Sequence, residues 1–536
     1  MPLRRRVRSR DGAILLTVLV VIALLAVGSA SFFDWTFTEY KATRSFGRQT
    51  QARLAAESGV DVLRALLAEE PEDIQVAGGL YDNPGRFRGV ILRDDALPAL
   101  RCRVSVLAPL LDYGEYAGVR FGLENESSRL NLNTLLSLDE TGDTAARDRL
   151  MSLPGMTEAI ADAILDWLDT DIEVRPFGAE TSYYTSLDPP YEPQNGPLES
   201  IDQLLRVRDV TPELLYGLDR NRDLVIDAAE AATELPAGVE NIDGEMNRGW
   251  AAYLTLYSAE RALTPEGEPK VNVNTDDLET LHRDISSVLG REEANFIVAY
   301  RQGGPAGDAA GQAAGAEFGG GGATQTVRAG DVQIDFNAPA AVTIDNLMRL
   351  VGASVEVVQA GENQQQTIEP LFPDEPGASA TFLPELLDYL TVYEDEVAPG
   401  RMNVNQAPRS LLASIPGMPP EAVEAVIGAR DFDPTETRPE RRHATWLYSE
   451  GYLSLEEMTE VMPLVTGGGD VYRAQMIGFF DEEGPMQRME VVIDDTADTP
   501  RVIYRQDLSP LGGGPTPAEI GAEVTPADAS TAPPPM

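Results

Sequence analysis

Twenty-one consecutive residues without a charge, Ala13 to Phe33, constrain this chain more than any other feature. Wound as a helix at about 1.5 Å per residue, such a run crosses a hydrocarbon layer of roughly 30 Å. Arg4, Arg5, Arg6, Arg8 and Arg10 precede it, and Asp34 follows it. Basic flanks stay on the cytoplasmic side, so the rest of the chain is expected across the membrane after a single pass. No Ala-x-Ala site closes the run. It also exceeds the roughly 7–15 apolar residues of a secretory signal, so the span is expected to stay attached.

Nothing breaks the chain after the span. Residues 34–67 hold no proline, and Leu54, Ala55, Ser58, Val62, Leu66 and Leu67 recur at steps of three and four. That spacing predicts a narrow apolar stripe on a continuing helix. The helix is expected to lie in lipid over 13–33 and to pack on a soluble domain over 34–70. A short basic leader ending in Gly12, an apolar stretch opening at Ala13 and a helix running past it resemble a type IV prepilin. The resemblance implies a leader of residues 1–12 and cleavage by a prepilin peptidase between Gly12 and Ala13. Most pilin-like subunits carry Glu at the fifth mature position, where this chain has Thr17. In a filament that buried carboxylate neutralises the terminal ammonium of a neighbour. A subunit with none ahead of it has nothing to neutralise. Lack of this Glu is a feature of the K-type minor pseudopilins of type II secretion, which the resemblance places at the filament tip.

At 536 residues the chain is too long for one core. Its 87 acidic against 42 basic residues give a net charge of −45, which becomes −49 without residues 1–12 and their five Arg and one Asp. Such a balance disfavours nucleic acid and anionic membrane surfaces. Cys102, the single cysteine, permits no internal disulfide and lies in an alternating, strand-like run, Leu100–Leu107, where a packed small apolar residue is expected. With His282 and His443 the only histidines, a zinc site or a Cys–His nucleophile has little to draw on. No Ser/His/Asp set or phosphate loop stands out, since Gly319–Gly322 lies in low complexity, and the chain is expected not to be an enzyme.

Three starts share one pattern: Arg129-Leu-Asn-Leu-Asn-Thr134, Lys270-Val-Asn-Val-Asn-Thr275 and Arg401-Met-Asn-Val-Asn-Gln406. Strand-like Tyr253–Tyr257 and Tyr389–Tyr393 precede the last two, and the second Asn of each start is suited to cap a following helix. Two starts lead to a second element, Leu153-Pro-Gly-Met156 and Ile415-Pro-Gly-Met418, each entering a helix. These resemble helix-hairpin-helix or SAM-like units. Their flanks, Glu158, Asp162, Glu421 and Glu424, would repel phosphate, so a protein-interaction scaffold is expected and DNA is not.

Order adds to these motifs. Asp166-Trp-Leu-Asp-Thr-Asp171, Phe177–Glu180, Tyr183-Tyr184, Pro189–Tyr191, Asn195-Gly-Pro197 and Ser200–Leu205 succeed the first hairpin. Strand-like runs at 471–480, 487–493 and 501–505 close the chain and read as an antiparallel meander that joins strands near 99–107 and 117–123. This string resembles the general secretion pathway protein K family. The implied fold class is α+β: a pilin-like N-terminal transmembrane helix packed on a small antiparallel sheet, with inserted helical SAM-like modules. The boundaries expected are 71–128 for the first part of the sheet, 129–264 for a first SAM-like domain with a calcium-loop insertion, and 265–300 for an extra Asn-x-Asn module. A flexible Gly/Ala-rich insert at 301–330, a mixed segment at 331–400, a last SAM-like domain at 401–466, strands at 467–511 and a disordered tail at 512–536 complete the order.

One stretch carries its own chemistry. Asp219, Asn221, Asp223, Asp227 and Glu230 fall at positions 1, 3, 5, 9 and 12 of a calcium loop, with Val225 placed to offer its carbonyl. Calcium takes six to eight oxygens at about 2.4 Å, which this spacing curls around one point. Leu224 replaces the usual glycine at position six and should strain the turn. The bland alternative is a solvated acidic loop. A looser set, Asp169, Asp171, Glu173 and Glu180, keeps part of the spacing, and the family resemblance also implies calcium. The expected function is a minor pseudopilin of type II secretion that starts and caps the periplasmic pseudopilus. It would be held in the inner membrane by one pass, with the bulk of the chain in the periplasm. Other minor pseudopilins bound through the N-terminal helix, prepilin peptidase, and secretin or secreted cargo are the expected partners. Alternatives are a minor pilin of a type IV pilus or DNA-uptake machine, and a signal-anchored periplasmic scaffold.

Overall fold

The computed structural model describes residues 11–138, 145–241, 244–306, 325–358, 365–434, 438–482 and 484–523. Helix α1 (Asp11–Leu67) runs unbroken for 57 residues. Among the described residues it is the one helix long and apolar enough to cross a membrane. Its first half, from Ile14 to Phe46, leaves every side chain exposed, whereas its second half lies on a sheet.

The buried face of that second half differs from the expected stripe. Ala52, Ala56, Val60, Leu63, Leu66 and Leu67 are buried, while Leu54, Ser58 and Val62 face out. Close approach decides the face. A Cβ on Gly478 would sit 2.0 Å from the Ala52 carbonyl oxygen, and one on Gly59 would sit 2.7 Å from both Met476 and Val104. A surface of alanine and glycine lets the helix backbone reach the strands, where Leu54 would hold it away.

The sheet has seven strands. β1 (Val90–Arg93), β2 (Cys102–Asp112) and the strands Val471–Phe480, Gln487–Asp494 and Arg501–Asp507 lie in that spatial order, each antiparallel to its neighbour. β3 (Glu115–Phe121) pairs with β2, and Glu124–Asn125 pairs with the strand 471–480. Strands far apart in sequence thus interleave, Ser105 opposite Ile477 and Asn125 opposite Tyr472. Val104, Val106, Met476, Met489, Val491 and Ile493 form the core beneath Leu63 and Leu66. Cys102 is buried with Ala52, Ala55 and Phe480, as its alternating context predicts.

The tail expected from 512 is ordered as far as Glu523. Ile520 is buried in a small core with Leu107, Leu224, Ile477 and Phe479. The Ser105 hydroxyl donates to the Ile520 carbonyl at 2.7 Å, and Arg103 lies 3.4 Å from Glu523. One apolar side chain and a backbone clasp hold a segment whose composition alone reads as disordered. Residues 524–536, and 307–324 of the expected flexible insert, lie outside the described residues.

Between the two sheet halves sit three modules, each closed by a short parallel strand pair: Leu130–Asn131 with Leu254–Thr255, Val271–Asn272 with Leu390–Thr391, and Met402–Asn403 with Val465–Thr466. The Tyr253–Tyr257 and Tyr389–Tyr393 segments finish the module before them. One expectation is corrected. Residues 265–300 and 331–400 are one module, since Leu390 pairs with Val271 and the segments between share one hydrophobic core. That core runs continuously through all three modules, from Leu130 to Val465.

Candidate metal centre and the repeated asparagines

The asparagines do not cap helices in the way the pattern suggests. The first of each pair turns the backbone: Asn131, Asn272 and Asn403 side-chain oxygens accept from the amides of Asn133, Asn274 and Asn405 at 2.9–3.0 Å. The second reaches across its module. Asn133 donates to the Leu198 carbonyl and accepts from the Leu198 amide, and Asn274 treats Ile344 the same way. Asn405 donates to the carbonyls of Arg441 and Gly467 and accepts from the Trp446 ring N–H. A primary amide presents a donor and an acceptor side by side, which lets it satisfy a loop amide and carbonyl as a strand would. The closing strands repeat as well: Thr255, Thr391 and Thr466 each accept at Oγ1 from the amide two residues on.

The hairpin turns follow the sequence reading. Gly155 and Gly417 take φ of 69° and 80°, and Thr157 accepts from the Ile160 amide to cap the helix Glu158–Leu168. Asp162 is not a solvated flank. It is buried under a two-point ion pair with Arg147, at 2.6 and 2.9 Å.

The loop 219–230 folds tightly around its own backbone. Asp219 accepts from the amides of Asp223 and Leu224, Asn221 from Asp223, Asp223 from Val225, and Asp227 from Ala229 and Glu230. Glu230 returns across the loop to the amides of Asn221 and Asp227. Leu224 adopts φ of 72°, the strained conformation expected where a glycine is usual. Burial pushes Asp219 up to about 6, with Arg248 opposing and Asp223 adding to the rise. The buried guanidinium of Arg488 lies against the loop and donates to the Asn221 carbonyl. With so many donors spent on them, three of the loop's carboxylates do not converge on one point.

Among the described residues that convergence occurs once, at Asp166, Asp169 and Glu180, all buried, each offering an oxygen within 4.8 Å of the others. Asp169 and Glu180 meet, whereas Glu173 is exposed and Asp171 turns outward to accept from the Glu173 amide. Asp166 was missed although it stands three residues before Asp169 at the end of one helix, a spacing that stacks side chains on one face. Asn195 completes the group by donating to the Asp171 carbonyl at 2.9 Å. Burial is the largest cause raising Asp166, Asp169 and Glu180 above the usual carboxylate range. Arg175 supplies the compensating charge, 3.0 Å from Asp166 and in contact with Asp169. Even so, Asp169 Oδ1, Glu180 Oε1 and Asn195 Oδ1 are buried oxygens with no donor. Three orphaned oxygens, two of them on the cluster's own carboxylates, fit a hard divalent cation such as calcium.

Residues 128–221, which carry this cluster, the first Asn-x-Asn start and the first hairpin, match the family model of the type II secretion system (T2SS), protein K. The match covers 94 of the chain's 536 residues. A chain in the crystal structure of the GspK-GspI-GspJ complex from the enterotoxigenic Escherichia coli type 2 secretion system is similar at 10% identity and a TM-score of 0.36, over 87% of this chain and 99% of that chain. Comparison with curated proteins gives no match. The matched segment ends at residue 221, so it holds the whole Asp166 cluster but only the first three positions of the loop 219–230.

Proposed function

We propose that this chain is a protein K, a minor pseudopilin of type II secretion, which starts the pseudopilus in the inner membrane and caps it at the tip. The observation that carries the reading is helix α1: its apolar first half is wholly exposed, and its second half is bound to the head by a glycine-lined face. A helix left bare over Ile14–Phe33 calls for lipid before assembly and for the matching helices of other minor pseudopilins after it. Thr17 supports the tip position, because a subunit with none ahead has no ammonium to neutralise. Prepilin peptidase cleaves between Gly12 and Ala13, the bulk of the chain stands in the periplasm, and the three modules, SAM-like in their hairpins, present the face that meets secretin or cargo.

Two measurements test this. Mass spectrometry of the mature chain should find an N-terminus at Ala13, and a chain beginning at Met1 beside an active peptidase contradicts the reading. Replacing Gly12 should leave the leader uncut and lower secretion, so normal secretion by an uncut variant contradicts it equally.

Calcium is part of the same proposal. Asp166, Asp169, Glu180 and the Asn195 oxygen would hold it, and Arg175 would swing aside as the ion takes over its charge. The loop 219–230 is the second candidate. In the full-length chain calcium should raise the melting temperature by mass action. Asp169→Asn with Glu180→Gln should remove most of that rise, and Asp219→Asn with Glu230→Gln should remove less. Equal melting in calcium and in chelator would show that neither place binds the ion.

A further inference from the structure

Arg149, on the helix Ala145–Met151, is 6% exposed, and its Nε is buried with no acceptor. Among the described residues it meets no carboxylate, whereas Arg103 pairs with Asp481, Arg129 with Glu124 and Arg473 with Glu126. Arg120, Arg301, Arg430 and Arg488 are buried without a carboxylate too, but each donates to a backbone carbonyl. Burial alone acts on its guanidinium, lowering it to about 10, so it remains charged at neutral pH. An uncompensated buried charge is among the costliest features a fold can hold.

Its surroundings show where the compensation belongs. Arg149 lines a cavity of about 70 Å³ where the first and third modules meet. Arg129 and Arg401 line it too, the residues that open the first and third Asn-x-Asn starts. Each already spends its fork on a glutamate, Glu124 and Glu260 respectively. Among the described residues no Asp or Glu lines the cavity, in a chain with twice as many acidic as basic residues. The walls are otherwise aliphatic or amide, including Leu135, Met402 and Leu464. A cavity of this size takes a few waters or one small ion and excludes a peptide.

We propose that this cavity binds one small oxyanion of sulfate size, with Arg149 as its principal ligand. Bound there, the anion neutralises Arg149 and ties the first module to the third, since the cavity wall is shared between them. A planar guanidinium favours oxyanions through paired N–H donors.

The test is equilibrium dialysis of the full-length chain in detergent micelles against radiolabelled sulfate at fixed ionic strength. One sulfate should bind per chain, saturably, in the low millimolar range. Arg149→Met should lower the affinity at least tenfold. That variant should also melt no lower than the parent in sulfate-free buffer, because it removes an unpaired charge. Sulfate strengthens burial generally, so the melting rise must be larger in the parent than in Arg149→Met. Absence of saturable binding, or equal binding by a folded Arg149→Met, overturns the assignment. Should Arg149→Met fail to fold, Arg149→Lys, which keeps the charge but loses the fork, should bind sulfate more weakly than the parent, and equal binding overturns the assignment as well.

Discussion

Single side chains set the shape of each module, and the paired asparagines are the clearest case. Truncating Asn133 or Asn274 to Ala leaves a part-buried amide and carbonyl unpaired, and truncating Asn405 leaves two carbonyls and an indole N–H unpaired, each change costing about 1–3 kcal/mol. Asn405 should cost most, because it serves two carbonyls and the Trp446 ring and is fully buried. Chemical denaturation of the three variants checks the order. A second residue-scale prediction concerns Asp495. Burial pushes it up to about 7, with Asp470 and Asp494 adding and Arg261, 2.8 Å away, opposing. A carboxyl raised in the fold binds its proton more tightly there than in the unfolded chain. Its contribution therefore falls as pH rises from about 4 to 7 and stays low above that. Asp495→Asn should flatten the pH dependence of stability across that window, and an unchanged slope would exclude Asp495 as its source.

Elements were legible in the sequence to the degree that periodicity carried them. The long helix, the three final strands and the turn glycines follow from apolar spacing, alternation and the need for positive φ. The buried face of α1 did not follow. Leu54 is larger than Ala52 and Ala56, and only the partner surface at Gly478 shows why those two small residues face inward in its place. The acidic cluster was half legible for the same reason: Asp169 and Glu180 are acidic by inspection, but Asn195 comes to them through a chain path that no local spacing reports. Gly478→Val tests the element. The added side chain must lift α1 off the strands, and protease sensitivity should rise within residues 48–67 while the strand pairing of Gln487–Asp494 with Arg501–Asp507 stays protected from hydrogen exchange.

At the scale of the whole molecule, the sheet is assembled from both ends of the chain, with all three modules inserted between Asn125 and Val471. The ordered end of the tail belongs to this assembly, since Ile520 closes a core shared by β2 and Leu224 of the calcium-like loop. Deleting residues 512–536 should lower the melting temperature, whereas deleting 524–536 should not. Equal effects would place the stabilisation beyond Glu523.

The second module leaves and rejoins the chain at one spot. Ala259–Arg261 pairs antiparallel with Val397–Pro399, Glu260 opposite Ala398. Its two ends are therefore bonded neighbours, so a change of length between them leaves the chain's path from the first module to the third unbroken. Such an address is where gene duplication can add a unit, or a deletion remove one, in a single step. The kinship of the three Asn-x-Asn starts is the imprint such copying leaves, and joining Arg261 directly to Val397 through a tight turn would return a shorter ancestor-like protein with its sheet intact.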